Sequence, residues 1–333
     1  MATKNLGKKG IFLTFIAISI IAALIIIFRP SDLNVGEDSE AIKTRIANVN
    51  EYVSDLENVY LERTLHATGI KTINSLILYT EINGFFTDLP AFEANFKEVL
   101  LNGTIGEAPI DSITGQEIMK DNTYNDWLGN ISIIAKDAFN VNTNFTVYDI
   151  KVYQIRPWFV NVDANVSFLV SSETALWDKN TTIRTEIGLE GFEDPYYLVN
   201  TGGAYSNRIN KSKNLVYNEW RLENVTDHIR HGTYTHWELS EAPSFLMKFT
   251  GDTSPSPCCG IESLVNPNKL AALGLPSNLD VSYVDHLFWT MPEDCSNLYT
   301  VSEISAEFPN FKFDLNHLGT YNRTVEGQQL PCP

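Results

Sequence analysis

Basic residues are scarce in this chain. Its 333 residues include 24 Lys and Arg against 41 Asp and Glu, a formal net charge of −17. Nucleic-acid binding and flat attachment to anionic lipid both need a basic surface, so we expect no nucleic-acid partner. Hydrophobic residues make up 44% of the chain and aromatic residues 11%. That content is enough for a sizeable core and argues against global disorder.

The common catalytic and metal-binding signatures are also missing. The chain has no H-E-x-x-H, no G-x-S-x-G, no phosphate-binding loop and no C-x-x-C. The patterns typical of zinc peptidases, serine hydrolases, nucleotide-binding proteins and zinc ribbons are therefore absent. We predict no cofactor and lean toward a protein that is not an enzyme.

One long apolar run lies at residues 11–28, IFLTFIAISIIAALIIIF, behind a basic leader at residues 1–10. Eighteen helical residues rise about 27 Å, close to the thickness of a bilayer core. Lys4, Lys8 and Lys9 favour a cytoplasmic N-terminus by the positive-inside rule. The run predicts a single transmembrane helix that contacts the lipid bilayer, with the rest of the chain outside the cell membrane.

The start of that run resembles the processing site of type IV pilins, in which a basic-Gly leader is removed and the apolar helix is kept. The matching residues are Lys8-Lys9-Gly10 followed by Ile11, and Gly10 is the processing candidate. Phe15 stands where major pilins usually carry Glu, so the resemblance fits a minor or tip pilin. A plain signal anchor that keeps residues 1–10 is the alternative.

After a short polar break, the chain predicts one long amphipathic helix over residues 38–82. Its apolar positions are spaced alternately by four and three residues, as on one helix face. Such a helix either forms a coiled coil with a partner helix or packs along its own domain. We favour packing along its own domain. The stripe consists of Ile42, Ile46, Val49, Val53, Leu56 and Tyr60.

The remainder divides into a mixed helical and loop region at 83–142 and a β-rich extracellular domain at 143–333. Apolar and polar residues alternate in 145–155, 160–170 and 181–191, which predicts antiparallel strands with a turn at 177–180. The apolar stretches at 281–289 and 311–318 predict further strands. The fold class is thus α+β, with an N-terminal transmembrane helix, a long helix and a mainly antiparallel exodomain.

Four cysteines and eight glycosylation sequons lie on the predicted outer side. An even number of extracellular cysteines indicates disulfides, and we expect the adjacent pair to form two longer links instead of one strained ring. The cysteines are Cys258, Cys259, Cys295 and Cys332. The sequons, which mark glycosylation candidates, are Asn102, Asn130, Asn144, Asn165, Asn180, Asn210, Asn224 and Asn322.

Three later segments resemble blocks of uncharacterised archaeal cell-surface proteins. They are GLEGFEDPYYLVN (188–200), EAPSFLMKFTG (241–251) and GIESLV (260–265). The resemblance covers about the last 150 residues and implies one N-terminal membrane helix followed by a helix-then-sheet exodomain. It implies a compartment and a topology, and no activity.

The densest polar segment is residues 227–238, where His228, His231 and His236 lie close in sequence to Asp227 and Glu238. On one helix face, such histidines and carboxylates can bind a metal. We therefore predict a membrane-anchored extracellular protein with a structural or binding role, and other surface or pilus subunits are its candidate partners. The alternative is a membrane-tethered extracellular hydrolase that uses this segment, in which case the three histidines must converge.

Overall fold

The computed structural model describes residues 39–323, except 174, 214–219, 239, 278 and 291–297. Within that range the chain is α+β with antiparallel sheets. No helix of the described residues is both long and apolar enough to cross a bilayer. The run at 11–28 and the candidate Gly10 lie outside those residues.

The segment predicted as one long helix is helical over all of its described residues. It comprises α1 (Ser39–Asp55), a π-helical turn (Leu56–Tyr60) and α2 (Leu61–Asn83). Val49, Val53 and Leu56 are buried in the core of the domain, so this stripe packs on its own chain. A π-helical turn contains one residue more than an α-helical turn. The buried position that would follow Leu56 therefore moves from Tyr60 to Leu61. Tyr60 is 43% exposed and Leu61 is fully buried.

Helices also dominate residues 83–142, where local caps fix their starts. The Asp88 side chain accepts a hydrogen bond from the Ala91 N–H, and Thr123 and Asp126 form a reciprocal capping box. A small hairpin, followed directly by a short helix, lies between the two capped helices. The elements are α3 (Leu89–Asn102), β1 (Thr104–Ile105), β2 (Ala108–Pro109), α4 (Ile110–Thr114) and α5 (Tyr124–Phe139).

Three long strands then form an antiparallel meander in the order β3-β4-β5, with bounds Asn142–Arg156, Phe159–Ser171 and Leu176–Gly188. In the central strand the even-numbered residues from Val160 to Val170 are buried, as the alternation predicts. The predicted turn at 177–180 is wrong. Those residues pair with β4, Trp177 opposite Val170, and the connection between the two strands lies between Ser171 and Leu176.

After residue 188 the structure departs from the predicted β-rich domain, since the later strands have only two or three residues. The segment predicted as a strand at 281–289 contains a helix, and that at 311–318 is a short strand followed by a helix. Asp314 caps this last helix by accepting from the His317 N–H, a local bond that outweighs the alternating pattern. The elements are α6 (Pro195–Thr201), α7 (Leu222–His231), β6 (Tyr234–Thr235), α8 (Phe245–Lys248), β7 (Glu262–Ser263), α9 (Pro267–Ala272), α10 (Asp285–Phe288), β8 (Leu298–Thr300), a 3₁₀ turn (Ser302–Ile304), β9 (Lys312–Asp314) and α11 (Leu315–Thr320).

Two apolar clusters form the core. The first joins the long helix, α3, α5 and the three-stranded sheet, and the second joins α7, α10 and the aromatic residues of 299–321. Along the chain, Ile261 belongs to the first cluster and Leu264 to the second. Glu262 and Ser263 between them therefore lie where the two clusters meet.

Candidate metal centre in a buried charged network

Lys248 lies between two carboxylates in the interior. Its Nζ is 2.6 Å from Asp194 Oδ2 and 2.7 Å from Asp285 Oδ2, and all three side chains are 0% exposed. Buried charges are costly unless each is paired and hydrogen-bonded. These three groups satisfy that condition only as a set, because the lysine is shared between both acids.

Short helices bring the three residues together from distant parts of the chain. Asp194 caps the start of α6 and accepts from the Tyr196 N–H, Lys248 ends α8, and Asp285 opens α10. Isolated bridges hold the flanking backbone, pairing Ser244 with Gly260 and Leu264 with Val284. Each of the three charged side chains thus lies at the end of a short helix.

Hydroxyl groups complete the shell around the two acids. Tyr234 OH donates to Asp194 Oδ2 at 2.8 Å, and Ser263 Oγ donates to Asp285 Oδ2 at 3.2 Å. The Tyr197 hydroxyl lies 2.8 Å from Ser263 Oγ, and Asn207 Nδ2 donates to Tyr234 OH. Every charged group here therefore has several partners, which fixes its orientation.

Glu262, His286 and His317 lie next to this triad and form the one three-residue group, in the described part of the chain, that could hold a metal ion. One ligand atom from each residue lies within 4.8 Å of the others, and all three residues are buried. His317 Nε2 is 3.4 Å from Glu262 Oε2. Two imidazoles and a carboxylate are a donor set suited to a divalent transition metal.

Each histidine of this group also faces a second carboxylate. His317 Nδ1 is 2.7 Å from Asp314 Oδ2, and His286 Nδ1 is 3.4 Å from Asp285 Oδ1. Metal-binding histidines in proteins are usually oriented by such a carboxylate on their other ring nitrogen. Asp285 thus contacts both the lysine and one of the candidate ligands.

The two aspartates beside Lys248 have pKa values shifted in opposite directions. Burial raises the pKa of Asp194, and the negative charge of Asp285 adds to that increase beyond what Lys248 offsets. Burial also acts to raise the pKa of Asp285, but Lys248 and His286 together outweigh it and lower that pKa. Burial alone would lower the pKa of Lys248, yet the two carboxylates raise it. The lysine is therefore charged, and Asp285 is its anionic partner.

The histidine segment predicted as a metal site is not assembled as one. His228 is buried, with Nδ1 2.6 Å from Thr233 Oγ1 and Nε2 3.4 Å from the Tyr321 hydroxyl. His231 is exposed at the end of α7, and His236 Nδ1 faces the Gly260 carbonyl at 2.7 Å. The described metal-competent group contains none of the three. Only His228 approaches the network, through the Tyr321 hydroxyl, which donates to Glu262 Oε1 at 3.0 Å.

The two adjacent cysteines are bonded to each other. A disulfide joins Cys258, which is exposed, to Cys259, which is buried. This differs from the two longer links expected from sequence, since both thiols of the pair are used within one ring. Cys295 and Cys332 lie outside the described residues.

The eight candidate glycosylation sites are compatible with a sugar. Asn165 and Asn224 are half-buried and the other six are exposed. Asn165 lies on the wet face of β4, where its Oδ1 accepts from Thr182 Oγ1. All eight sequons thus lie at the surface of the described structure.

An open groove of about 830 Å³ lies away from the network, against α2 and the three-stranded sheet. Charged and polar side chains line it, including Arg63, His66, Asp163, Arg184 and Glu186. Several of these pair among themselves: Arg184 Nε is 3.3 Å from Asp163 Oδ2, and His66 Nδ1 is 3.1 Å from Thr185 Oγ1. The groove is a solvated, internally paired surface and contains none of the buried charges.

No family model, curated protein or solved structure matches this chain. Its site must therefore be interpreted from its own geometry.

Sequence reasoning missed the residues that do converge. The available signal was the pairing of an acid with a histidine at two places, Asp285-His286 and Asp314-x-x-His317. Both pairs lie in stretches with strand-like apolar patterns. The denser 227–238 segment predicts a site that does not form, because side chains close in sequence need not converge in space.

Proposed function

We propose that this protein is a membrane-anchored extracellular surface protein with a structural or binding role, whose C-terminal part is stabilised by a divalent metal held by Glu262, His286 and His317. The anchor and the compartment rest on the sequence pattern at residues 1–30. The metal rests on the buried group of three ligands. More specifically, we propose that it is a minor-pilin-like subunit that associates with other surface subunits.

The observation that carries the proposal is the burial of these ligands. A catalytic metal needs an open coordination position and a path for the substrate, whereas a structural metal is enclosed by the protein. Glu262 is fully buried, and His286 and His317 are 1% and 3% exposed. This arrangement favours a structural metal over the hydrolase alternative, whose candidate residues His231 and His236 lie apart from the network.

The charges around the group also favour a cation. Three carboxylates lie in it or beside it, those of Glu262, Asp285 and Asp314, of which only Asp314 is partly exposed. Among the described residues, Lys248 is the one lysine that contacts any of them, through Asp285. Burial opposes protonation of His317, but Glu262 and Asp314 outweigh it and raise the pKa of His317 to about 10. A divalent ion would displace this proton and balance the carboxylates in its place.

The test is the metal content of the full chain, purified in detergent and assayed by elemental mass spectrometry before and after dialysis against Zn²⁺. We expect one tightly held transition metal or Zn²⁺ per chain and a higher thermal midpoint when it is bound, because a metal that binds only the folded state stabilises it.

Two histidine variants make the test specific. His286→Gln should lose the metal, whereas His231→Gln, a matched change on the exposed end of α7, should keep it. A wild-type chain that neither contains nor takes up Zn²⁺, Fe²⁺ or Mn²⁺ would overturn the metal site. Metal retained by His286→Gln, or lost from a folded His231→Gln, would overturn the ligand assignment.

A further inference from the structure

Lys248 is an amine enclosed with two carboxyl groups and shielded from water. Besides its contacts with Asp194 and Asp285, its Nζ lies 4.9 Å from the centre of the Tyr196 ring and 5.2 Å from that of Tyr234. An amine held against a carboxyl group at such distances has a high effective concentration. Exclusion of bulk water also favours condensation over hydrolysis at the same carbon.

We propose that Lys248 and Asp194 form an intramolecular isopeptide bond, with Asp285 as the proton acceptor. This bond is a covalent modification of the chain that uses none of the three proposed metal ligands and does not rest on the proposed surface role. It would join two segments 54 residues apart in sequence.

The hydrogen bonds around the two acids assign their different roles. Asp194 Oδ1 accepts from the Tyr196 N–H at 2.8 Å, so this backbone group polarises the carbonyl and stabilises negative charge that develops on Oδ1. Asp194 Oδ2 faces the lysine and the Tyr234 hydroxyl, and it is the oxygen that leaves. Asp285 accepts from the His286 N–H and from Ser263 Oγ, donors that stabilise it as a carboxylate.

The reaction balances without an external reagent. The Lys248 ammonium gives one proton to Asp194 Oδ2, with which it is paired, and the resulting amine attacks Cγ of that carboxyl group. The Nζ–Cγ bond forms, and the nitrogen gives a second proton to Asp285 Oδ2, which passes it to Asp194 Oδ2. The Cγ–Oδ2 bond breaks, and Oδ2 leaves with these two protons as one water molecule. The product is a neutral amide beside the Asp285 carboxylate. The buried charge pair of Lys248 and Asp194 is thereby removed from the interior.

Lys312 is a natural control because it is also buried and paired with an acid. Its Nζ is 2.5 Å from Asp280 Oδ1, but the Asp280 side chain is 52% exposed. Its other partner is the Leu279 carbonyl, so no second carboxylate of the described structure is within ion-pair distance to accept a proton. We expect no isopeptide bond at Lys312.

The experiment is mass spectrometry of a tryptic digest of the full chain, reduced and alkylated. In the wild type, residues 185–208 should be found joined to residues 231–269, lighter by one water than the two peptides together, with no cleavage after Lys248. Neither peptide contains a glycosylation sequon, so sugars do not complicate the masses. Recovery of free 185–208 and 231–248 as the only forms would overturn the proposal.

Variants identify the acceptor and guard against misfolding. Lys248→Arg should abolish the joined peptide, and Lys312→Arg should leave it intact. Asp194→Asn should still form the bond, now with loss of ammonia, and Asp285→Asn should strongly reduce it. A joined peptide that maps to Asp285 would overturn the choice of acceptor. Because the result is read from peptides, it is independent of metal content and of membrane attachment.

Discussion

Gly69 of α2 lies directly against Ile187 of β5. A Cβ atom added at Gly69 would come within 2.5 Å of the Ile187 Cδ1 methyl group and 3.9 Å of Val162 Cγ2. The long helix crosses the sheet at this point with no room for a side chain. Gly69 therefore sets the distance between the helix and the sheet, and the helix continues through it without a break.

Substitution of this glycine should weaken the fold. We expect Gly69→Ala to lower the free energy of unfolding by up to about 2 kcal/mol, because moving the Ile187 methyl group in a packed core costs about 1–3 kcal/mol and the helix propensity of Ala offsets about 0.5–1 kcal/mol of it. Gly129 in α5 is the matched control, because an added Cβ there meets no atom within 4 Å. Gly129→Ala should raise stability by about 0.5–1 kcal/mol through helix propensity alone. Urea unfolding of both variants measures the difference, and equal effects would contradict this packing.

His228 should make the fold sensitive to mild acid. Its burial lowers its pKa from 6.5 to about 3, an effect that the nearby charge of Asp285 only partly offsets. Between those values the unfolded chain binds a proton that the folded chain does not. Stability should therefore fall as the pH drops from 6.5 toward 3, by up to about 1.4 kcal/mol per pH unit from this group.

The measurement is the slope of unfolding free energy against pH for the wild type and for His228→Gln. The variant should be less stable at pH 7 because it loses contacts with Thr233 and Tyr321, and its slope between pH 6.5 and 5 should be shallower. His231→Gln, at an exposed site, should retain the wild-type slope. Parallel curves for the wild type and His228→Gln would show that His228 is not buried in its neutral form.

Asp111 holds the loop after α4 with one carboxylate. Its oxygens accept from the backbone N–H groups of Ile118, Met119 and Lys120 at 2.7–3.1 Å. We expect Asp111→Ala to lower the free energy of unfolding by about 1.5–3 kcal/mol, as bonds to a charged acceptor are lost. Asp137→Ala, an exposed change on α5, should stay within about 0.5 kcal/mol of wild type. Chemical denaturation of the two variants gives the comparison. An Asp111→Ala variant as stable as the wild type would refute the role of this carboxylate.

The N-terminal run should behave as a membrane anchor. With both Ala22→Asp and Ile25→Asp, each central charge opposes insertion by about 2.5–3.5 kcal/mol. The double variant should leave the membrane fraction on carbonate extraction, while the wild type stays. Wild-type protein that is soluble without detergent would contradict the anchor.

The processing site needs a separate measurement. Mass spectrometry of the N-terminus should find Ile11 if Lys8-Lys9-Gly10 is cut as in pilins, and Met1 or Ala2 if the leader is kept. A Gly10 substitution should block the cut. An intact leader in cells with an active prepilin peptidase would rule out the pilin-like alternative.

The elements that sequence reasoning located well are those whose pattern repeats over many residues. The long helix and the three long strands each have a regular period, and burial of one face is enough to define them. The turn at 177–180 was misplaced because Trp177 to Asn180 are polar or bulky on an exposed edge strand, where turn-like composition does not prevent pairing.

The C-terminal part was harder to predict because most of its elements have only two to seven residues, too few for a periodic pattern to repeat several times. Asp285 and Asp314 begin helices of four and six residues in segments that alternate like strands. The buried network joins side chains from five segments, and nothing local to Glu262 indicates that His317 will face it. Such long-range convergence depends on packing, which composition and spacing do not encode.

The position of these partners along the chain also sets the order of events during biosynthesis. Glu262 is synthesised before both of its hydrogen-bond partners in this group, His317 and Tyr321. Its carboxylate can therefore pair with them only once the last part of the described chain has been made, whereas the three long strands before residue 189 pair with each other.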